Sequence, residues 1–377
     1  MATVPKKSRA AVLVDYNHPA EIQEIDILDP EPGAIIAQVE ASTVCGTDVH
    51  IFHGKMSEHS GLTLFSRVPL VMGHEIVGRI VELGTGRTKD AADQSLEEGD
   101  RIVWAYPWCG KCYYCTIALQ PTLCPNVRMY GWGSVREKPY LTGGFAEYVY
   151  VKPECHVVKV PDGVDSKVAA SATCAFRTVI HNFERFGGLG IQDNVVILGC
   201  GPVGLYALAL SVVCGAGQVI MVGTPKRRLD LARKWGASHV IDIEEIKDPG
   251  ERKEMIRKLT DGRGPDVVIE CAGPSQAFVQ GLDILRSGGR YLVIGQTDPS
   301  PISIQARHIN LEMKEIVGAV SAAVRHFYKA MQFLKNCRDR FNFMEMLTNT
   351  YSLEQVNEAL KSMEELKEIK PVILPNQ

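Results

Sequence analysis

Short apolar runs separated by turn residues dominate the chain up to about Lys159. Ala10–Val14, Ile35–Ala41, Ile76–Val81, Arg101–Trp104 and Ala146–Val151 have the length and composition of strands. Gly99-Asp100 is a turn signal just before one of them. This part predicts a mostly antiparallel, barrel-like β domain with long loops. From about Pro161 the pattern changes. Asn194–Leu198 is an apolar run of the kind buried on both faces of a parallel sheet. A helical segment follows over Val203–Val213, then a strand over Gln218–Val222, a helix over Arg227–Trp235 and a strand over His239–Ile241. Asp266–Glu270 and Tyr291–Ile294 are further strands, each preceded by a helical pattern. Strand–helix alternation of this length predicts an α/β fold with a doubly wound parallel sheet. The tail from about Val324 predicts helices over Arg325–Asn336 and Leu353–Ser362, then a closing strand over Val372–Leu374. Residues 1–160 and 325–377 are thus expected to form one domain and residues 161–324 another.

Composition fits this division. A chain of 377 residues is long for one domain and suits two. With 45% hydrophobic and 23% charged residues it resembles ordinary globular proteins. A formal net charge of -3 argues against nucleic acid as the main partner. The N-terminus carries Lys6, Lys7 and Arg9 with no apolar run behind them, which does not read as a secretory signal. Val195–Val222 lacks charge and has the length of a membrane helix, but its glycines and Pro202 break it into strand, turn, helix, turn and strand. No membrane association is expected, and the cytoplasm is the expected location.

The eleven cysteines change the picture more. Cys109, Cys112, Cys115 and Cys124 follow a C-x2-C-x2-C-x8-C pattern. Four thiolates at such spacing can surround one tetrahedral zinc ion and leave no position for a substrate, so a zinc held there would be structural. An odd cysteine count bunched in this way fits metal binding in a reducing compartment better than a disulfide framework. Cys155, Cys200, Cys214, Cys271 and Cys337 read as small buried hydrophobes. Cys45, His74 and Cys174 could supply two sulfurs and one nitrogen to a second zinc with an open position. They lie far apart in sequence, so spacing alone leaves a purely structural reading of each open.

Gly199-Cys200-Gly201-Pro202-Val203-Gly204 matches G-x-G-x-x-G after a buried strand and before a helix, the context a dinucleotide loop requires. Gly199 permits the tight turn, Gly201 lets a pyrophosphate approach the backbone, and Gly204 lets helix and strand pack closely. Pro202 and Val203 open the helix whose N–H groups face the phosphate. An acidic residue usually ends the second strand and binds the adenosine ribose. Here Gly223 stands there, followed by Thr224, Lys226, Arg227 and Arg228. The missing carboxylate and the nearby cations favour NADP. The alternative is that the cations are the solvated first turn of a helix and NAD is used.

Cys45-Gly46-Thr47-Asp48-Val49-His50, Gly73-His74-Glu75 and the cysteine run, in this order with the glycine loop, resemble the zinc-dependent medium-chain dehydrogenase/reductase superfamily over nearly the whole chain. The resemblance implies a GroES-like catalytic domain beside a Rossmann domain, with the active site in the cleft between them. It implies two zinc ions per chain. Cys45, His74 and Cys174 would hold the catalytic one, with Glu75 supporting the site and able to act as an alternate ligand. Cys109, Cys112, Cys115 and Cys124 would hold the structural one, although the last gap has eight residues where the family usually has seven. Thr47 would hydrogen-bond the alcohol, His50 would pass its proton toward solvent, and Asp48 would orient His74. A helix N-cap is the plainer reading of Thr47, and a surface histidine that of His50. Thr178, one helical turn after Cys174, would touch the nicotinamide end, and Lys370 would reach the cofactor phosphates. Gly46 replaces an arginine common in the family and removes one phosphate contact. His53, His59, Trp104, Tyr106 and Trp108 would line the substrate cleft, or the aromatics would pack around the cysteine loop.

The implied activity is zinc-dependent interconversion of a secondary, cyclic or polyol-like alcohol and its carbonyl compound, with NADP or NAD, in a homodimer or homotetramer. Two alternatives are a zinc-free enone or quinone reductase of the same fold and a non-enzymatic zinc-binding interaction protein.

Overall fold

The computed structural model describes residues 4–56, 66–295 and 300–377. It divides into two compact units, Met1–Cys174 with Ala322–Gln377, and Ala175–Ser321. In chain order the strands are β1 (Lys7–Leu13), β2 (Glu21–Asp26), β3 (Ile35–Thr43), β4 (Leu70–Val71), β5 (Glu75–Leu83), β6 (Arg101–Trp104), β7 (Tyr148–Val151) and β8 (Val157–Lys159). They continue as β9 (Asn194–Leu198), β10 (Gln218–Gly223), β11 (His239–Asp242), β12 (Val267–Glu270), β13 (Arg290–Val293), β14 (Glu315–Gly318), β15 (Thr350–Tyr351) and β16 (Val372–Ile373).

In the first unit, strands run in the order β15-β16-β3-β5-β6-β8, with β7 also on β3, and β2-β1-β4 form a second small sheet. Apart from β15 with β16, the pairs are antiparallel. On β3, Ile35, Ala37 and Val39 face one core cluster and Ile36 another, so both faces of the sheet are covered there. Ile35, Val39, Ile76, Ile80, Ile102, Trp104, Val149 and Val157 make one core cluster. The cysteine lobe packs on that cluster through Trp108, Cys109, Cys112 and Cys115. Helix α1 (Gly46–Phe52) follows β3, and α2 (Tyr113–Thr116) lies within the cysteine lobe. Helix α3 (Ser166–Ser171) packs on β3 and β5, which is why the unit ends at Cys174 and not at the expected residue 160.

The second unit is a six-stranded parallel sheet in the order β11-β10-β9-β12-β13-β14. Five of its strands coincide with the sequence reading to within a residue or so. Strand β14 was not anticipated: Glu315-Ile316-Val317-Gly318 is too short to show periodicity, and it lies at the sheet edge. Helices α4 (Arg177–Phe186), α5 (Pro202–Val213), α6 (Lys226–Lys234), α7 (Pro249–Leu259), α8 (Ser275–Ile284) and α9 (Arg307–Asn310) belong to this unit. The chain then returns through α10 (Val324–Cys337) and α11 (Val356–Glu364) to β16. The charge-free stretch from Val195 is β9, α5 and β10, and no helix among the described residues is long and apolar enough to cross a membrane.

Candidate metal centres and dinucleotide loop

In the first unit, ligand atoms of Cys45, His74, Glu75 and Cys174 all lie within 4.8 Å of one another. Each comes from the start of an element or from a turn between two. Cys45 is the N-cap of α1, His74 immediately precedes β5, and Cys174 sits in a π-helical turn, Ala172–Phe176, between α3 and α4. Such turns widen a helix locally and expose backbone and side chain together, which is why they recur at functional sites. The π turn also breaks the regular spacing from which Cys174 and Thr178 were placed on one helical face. Thr178 is half-buried, and its carbonyl accepts from Asn182.

Asp48 is fully buried and organises the cluster. Its Oδ2 accepts the Cys45 N–H at 2.8 Å, and its Oδ1 lies 3.1 Å from His74 Nδ1. Burial works against the imidazolium, but Asp48 and Cys174 outweigh it and hold the His74 pKa well above its ordinary value. A metal takes the place of the second proton: in the neutral ring the remaining proton sits on Nδ1, toward Asp48, and Nε2 presents a lone pair. That Nε2 is buried and has no hydrogen-bond partner among the described residues. A buried polar atom without a partner is costly, and a metal ligated there would remove the cost. A hydrogen bond between Cys45 and Cys174 lowers the Cys45 pKa well below that of an ordinary thiol and, with burial, raises that of Cys174. Two sulfurs and one imidazole, with a carboxylate behind the imidazole, are the donor set of a catalytic zinc site.

Glu75, a member of this cluster, is fully buried and accepts a hydrogen bond from Thr43. Burial raises its pKa to about 7 against the opposing charge of Lys370. Lys370, expected to reach the cofactor phosphates, is buried, and its ammonium lies 2.6 Å and 2.7 Å from the two Glu75 oxygens. Thr43 carried no sequence signal.

Thr47 is the second residue of α1, so the N-cap reading is corrected, because Cys45 is the cap. Its hydroxyl lies 3.8 Å from the Cys45 sulfur. His50 is half-buried near the end of α1, and desolvation, with Lys55 nearby, lowers its pKa. His53 instead bonds Glu364 at 2.7 Å and Asn17 at 2.9 Å, a surface arrangement. Trp104 and Tyr106 are buried against Tyr130 beside the cysteine lobe, and Trp108 packs there too. His59 lies outside the described residues.

The sulfurs of Cys109, Cys112, Cys115 and Cys124 also lie within 4.8 Å of one another. Three of their separations are 3.5, 3.5 and 3.8 Å. A tetrahedron of sulfurs at the usual zinc distance has edges of about 3.8 Å. All eleven cysteines are free, so this is not a disulfide arrangement. A backbone N–H at Lys111 lowers the Cys109 pKa to about 6, whereas burial and the neighbouring thiols raise that of Cys115 to about 12. Crowded thiols of this kind are what one divalent cation neutralises. Of the remaining cysteines, Cys155 and Cys200 are buried as expected, but Cys214 is exposed.

In the second unit, Gly199 has φ of +101°, and a Cβ there would lie 2.8 Å from the Ala272 backbone. A Cβ at Gly204 would lie 1.8 Å from the Gly199 carbonyl oxygen, so only glycine lets α5 start this close to β9. Gly201 differs. It caps α5, and among the described residues beyond its own chain neighbours the only atom within 4 Å of a Cβ there is Arg228 Nη1, at 3.9 Å. The open space over the N-terminus of α5, formed by Pro202 and Val203, suits a phosphate. Arg228 is buried beside it, and burial lowers its pKa. Lys226 is exposed. Gly223 ends β10 against Cys200, whose thiol lies 3.2 Å from the Thr224 carbonyl oxygen.

Residues 31–162 match the alcohol dehydrogenase GroES-like domain, and residues 202–336 match the zinc-binding dehydrogenase domain. The chain is 33% identical to 5-exo-hydroxycamphor dehydrogenase of Pseudomonas putida over 97% of its own length and 98% of that protein. It is 31% identical to a sorbitol dehydrogenase of Halalkalibacterium halodurans, over 92% and 94% of the two chains. The crystal structure of an alcohol dehydrogenase from Thermotoga maritima superposes with a TM-score of 0.90 at 31% identity, covering 98% of this chain and all of that one. The chain therefore belongs to the zinc-dependent medium-chain dehydrogenase/reductases and is an NAD(P)-dependent oxidoreductase of alcohol dehydrogenase type.

Proposed function

We propose that this enzyme interconverts a cyclic secondary alcohol and its ketone, with Cys45, His74 and Cys174 holding the catalytic zinc and the Cys109 lobe a structural one. The observation that carries the metal assignment is the buried, unpartnered Nε2 of His74 facing two cysteine sulfurs. Bound zinc supplies a Lewis acid that lowers the pKa of an alcohol hydroxyl. Asp48 keeps the proton on His74 Nδ1 and fixes the ring. Thr47 hydrogen-bonds the alcohol and, as its Oγ1 takes the alcohol proton, releases its own hydroxyl proton, while His50, neutral because its pKa is lowered, passes the relayed proton toward solvent. Lys370 and Thr43 hold the Glu75 carboxylate in place within the cluster. Gly199, Gly201 and Gly204 shape the loop that takes the cofactor pyrophosphate, while Gly223, Thr224, Lys226 and Arg228 surround the adenosine ribose and favour NADP. Thr178 meets the nicotinamide end.

The cyclic substrate class rests on the hydroxycamphor dehydrogenase likeness along the whole chain. The sorbitol dehydrogenase likeness supports a polyol as the second reading. Initial rates of NAD⁺ and NADP⁺ reduction with primary, secondary, cyclic and polyol alcohols distinguish them. Turnover confined to primary alcohols would refute both. The chain further acts as a homodimer or homotetramer in the cytoplasm, with the open edge of β14 as the contact.

A further inference from the structure

Glu270, the last residue of β12, is a fully buried carboxylate in the dinucleotide unit that the reaction scheme does not use. Its Oε1 accepts the N–H groups of Ala272 and Gly273, both at 2.7 Å. Its Oε2 has no hydrogen-bond partner among the described residues. Burial raises its pKa, and the N–H groups of Gly273, Ala272 and Gly295 oppose that rise.

The turn that Glu270 ties, Cys271 to Gly273, is clamped from both sides. On one side stands the glycine loop: a Cβ at Gly199 would lie 2.8 Å from the Ala272 nitrogen and Cα. On the other stands the end of β13: a Cβ at Gly295 would lie 2.5 Å from the Cys271 carbonyl carbon and 2.8 Å from the Ala272 nitrogen. The Cys271 N–H donates to the Leu198 carbonyl at 2.8 Å, and the Ile294 and Gly295 N–H groups donate to the Glu270 carbonyl at 2.9 and 3.0 Å. Three strand ends thus meet at one turn with no room for a side chain on either face.

The position of this turn gives it a consequence. The sheet runs outward from β9 to β10 and β11 in one direction, and from β12 to β13 and β14 in the other. An open α/β sheet takes its ligand in the crevice where the strand order reverses, outside the carboxyl ends of the strands. Here that crevice lies between β9, which carries the glycine loop, and β12, which carries the Glu270 turn. The loop takes the pyrophosphate, so the turn forms the wall met by the other half of the dinucleotide.

We propose that Glu270 is a positioning residue for the cofactor: by holding the 271–273 turn it sets the crevice wall that faces the glycine loop, and so the placement of the nicotinamide half. The inference rests on the dinucleotide reading of this unit. Glu270 acts through the turn, because its carboxylate is fully buried and its Oε1 is bonded to the turn's own N–H groups. A carboxylate in such a place carries a desolvation cost that an apolar side chain would avoid, and the two turn N–H groups are what need an acceptor.

The test compares Glu270→Gln, which keeps an acceptor oxygen, with Glu270→Leu, which removes it. Fluorescence titration gives Kd for NADH and NADPH, run beside the parent enzyme, with alcohol KM at saturating cofactor and thermal midpoint as companion readouts. Glu270→Leu is expected to weaken cofactor binding about tenfold or more, and Glu270→Gln to remain within about threefold of the parent, with alcohol KM little changed in either. A purely structural role would lower the thermal midpoint of Glu270→Leu and leave the Kd of the folded protein within about twofold of the parent, which overturns the proposal. Should Glu270→Leu not fold, Gly295→Ala presses on the same turn from the opposite side, and unchanged cofactor affinity there overturns it equally. A parent enzyme that binds neither NADH nor NADPH refutes the dinucleotide reading itself, and this proposal with it.

Discussion

At the scale of single residues, the site is controlled by atoms one step removed from the reacting ones. Asp48 touches both the Cys45 N–H and His74 Nδ1, so it sets the geometry of two ligands at once. Asp48→Ala is expected to weaken zinc binding at the catalytic centre by about 10–100-fold while the Cys109 lobe keeps its metal. Metal analysis after dialysis against a graded chelator measures this, and an unchanged zinc content of two would contradict it. His50 makes a pH prediction. Its lowered pKa keeps the ring neutral, and able to accept a proton, to below its ordinary value of about 6.5. Alcohol oxidation should therefore fall on the acid side only as pH drops through that lowered pKa, and His50→Gln should remove this limb from the kcat profile. Gly223 makes a prediction against simple redesign. A Cβ there would lie 2.6 Å from the Cys200 sulfur and 3.0 Å from the Cys200 nitrogen. Gly223→Asp, the obvious change toward NAD, should cost about 1–3 kcal/mol by overpacking. It should lower the thermal midpoint without producing an NAD-selective enzyme, as melting curves and paired NAD⁺ and NADP⁺ rates will report.

At the scale of elements, the last strand brings a cation to the metal centre across 295 positions of sequence. Lys370 precedes β16, β16 pairs with β3, and β3 pairs with β5, which begins at Glu75. Lys370→Met leaves the Glu75 carboxylate buried without its counter-charge, a change that costs about 3–5 kcal/mol in comparable cases. The sign with pH follows from burial. The Glu75 pKa is already raised to about 7, and loss of Lys370 raises it further. The penalty is therefore full above the folded-state pKa and vanishes below the unfolded value, so the variant should recover relative stability as pH falls toward 5. Chemical denaturation at two pH values checks this, and an equal loss at both would contradict it. This pairing also marks the limit of what sequence pattern conveys. Runs such as Asn194–Leu198 announce a buried strand because both faces are apolar, and Gly199 to Gly204 announce a turn because nothing larger fits. Lys370 carries no such mark: a lysine before a proline reads as a surface cation until the strand pairing places it. The π turn at Cys174 was equally hidden, since an extra residue in a helical turn leaves the local composition unchanged. The cysteine lobe was legible because its four ligands are close in sequence, whereas Cys45, His74 and Cys174 meet only through the fold of the whole unit.

At the scale of the whole molecule, β14 leaves one edge of the parallel sheet open among the described residues. An edge strand with unpaired N–H and C=O groups is a template for pairing with another chain unless something blunts it. Nearby residues do the opposite. Leu311 is 76% exposed and Met313 78% exposed, with Ile302, Ile304, Ile309 and Val320 also exposed. Exposed apolar side chains on the segments that flank an open edge strand in sequence fit a protein contact better than a free surface. A second copy is the natural occupant, because a two-fold axis at β14 would pair the strand with itself and bring the same apolar residues against each other. Analytical ultracentrifugation of the parent chain should then show a dimer or tetramer. The double substitution Leu311→Glu and Met313→Glu should shift it toward monomer while both metal sites stay loaded, since neither residue belongs to them. An oligomer that survives both charges would place the contact elsewhere, and a monomeric parent would remove the need for one.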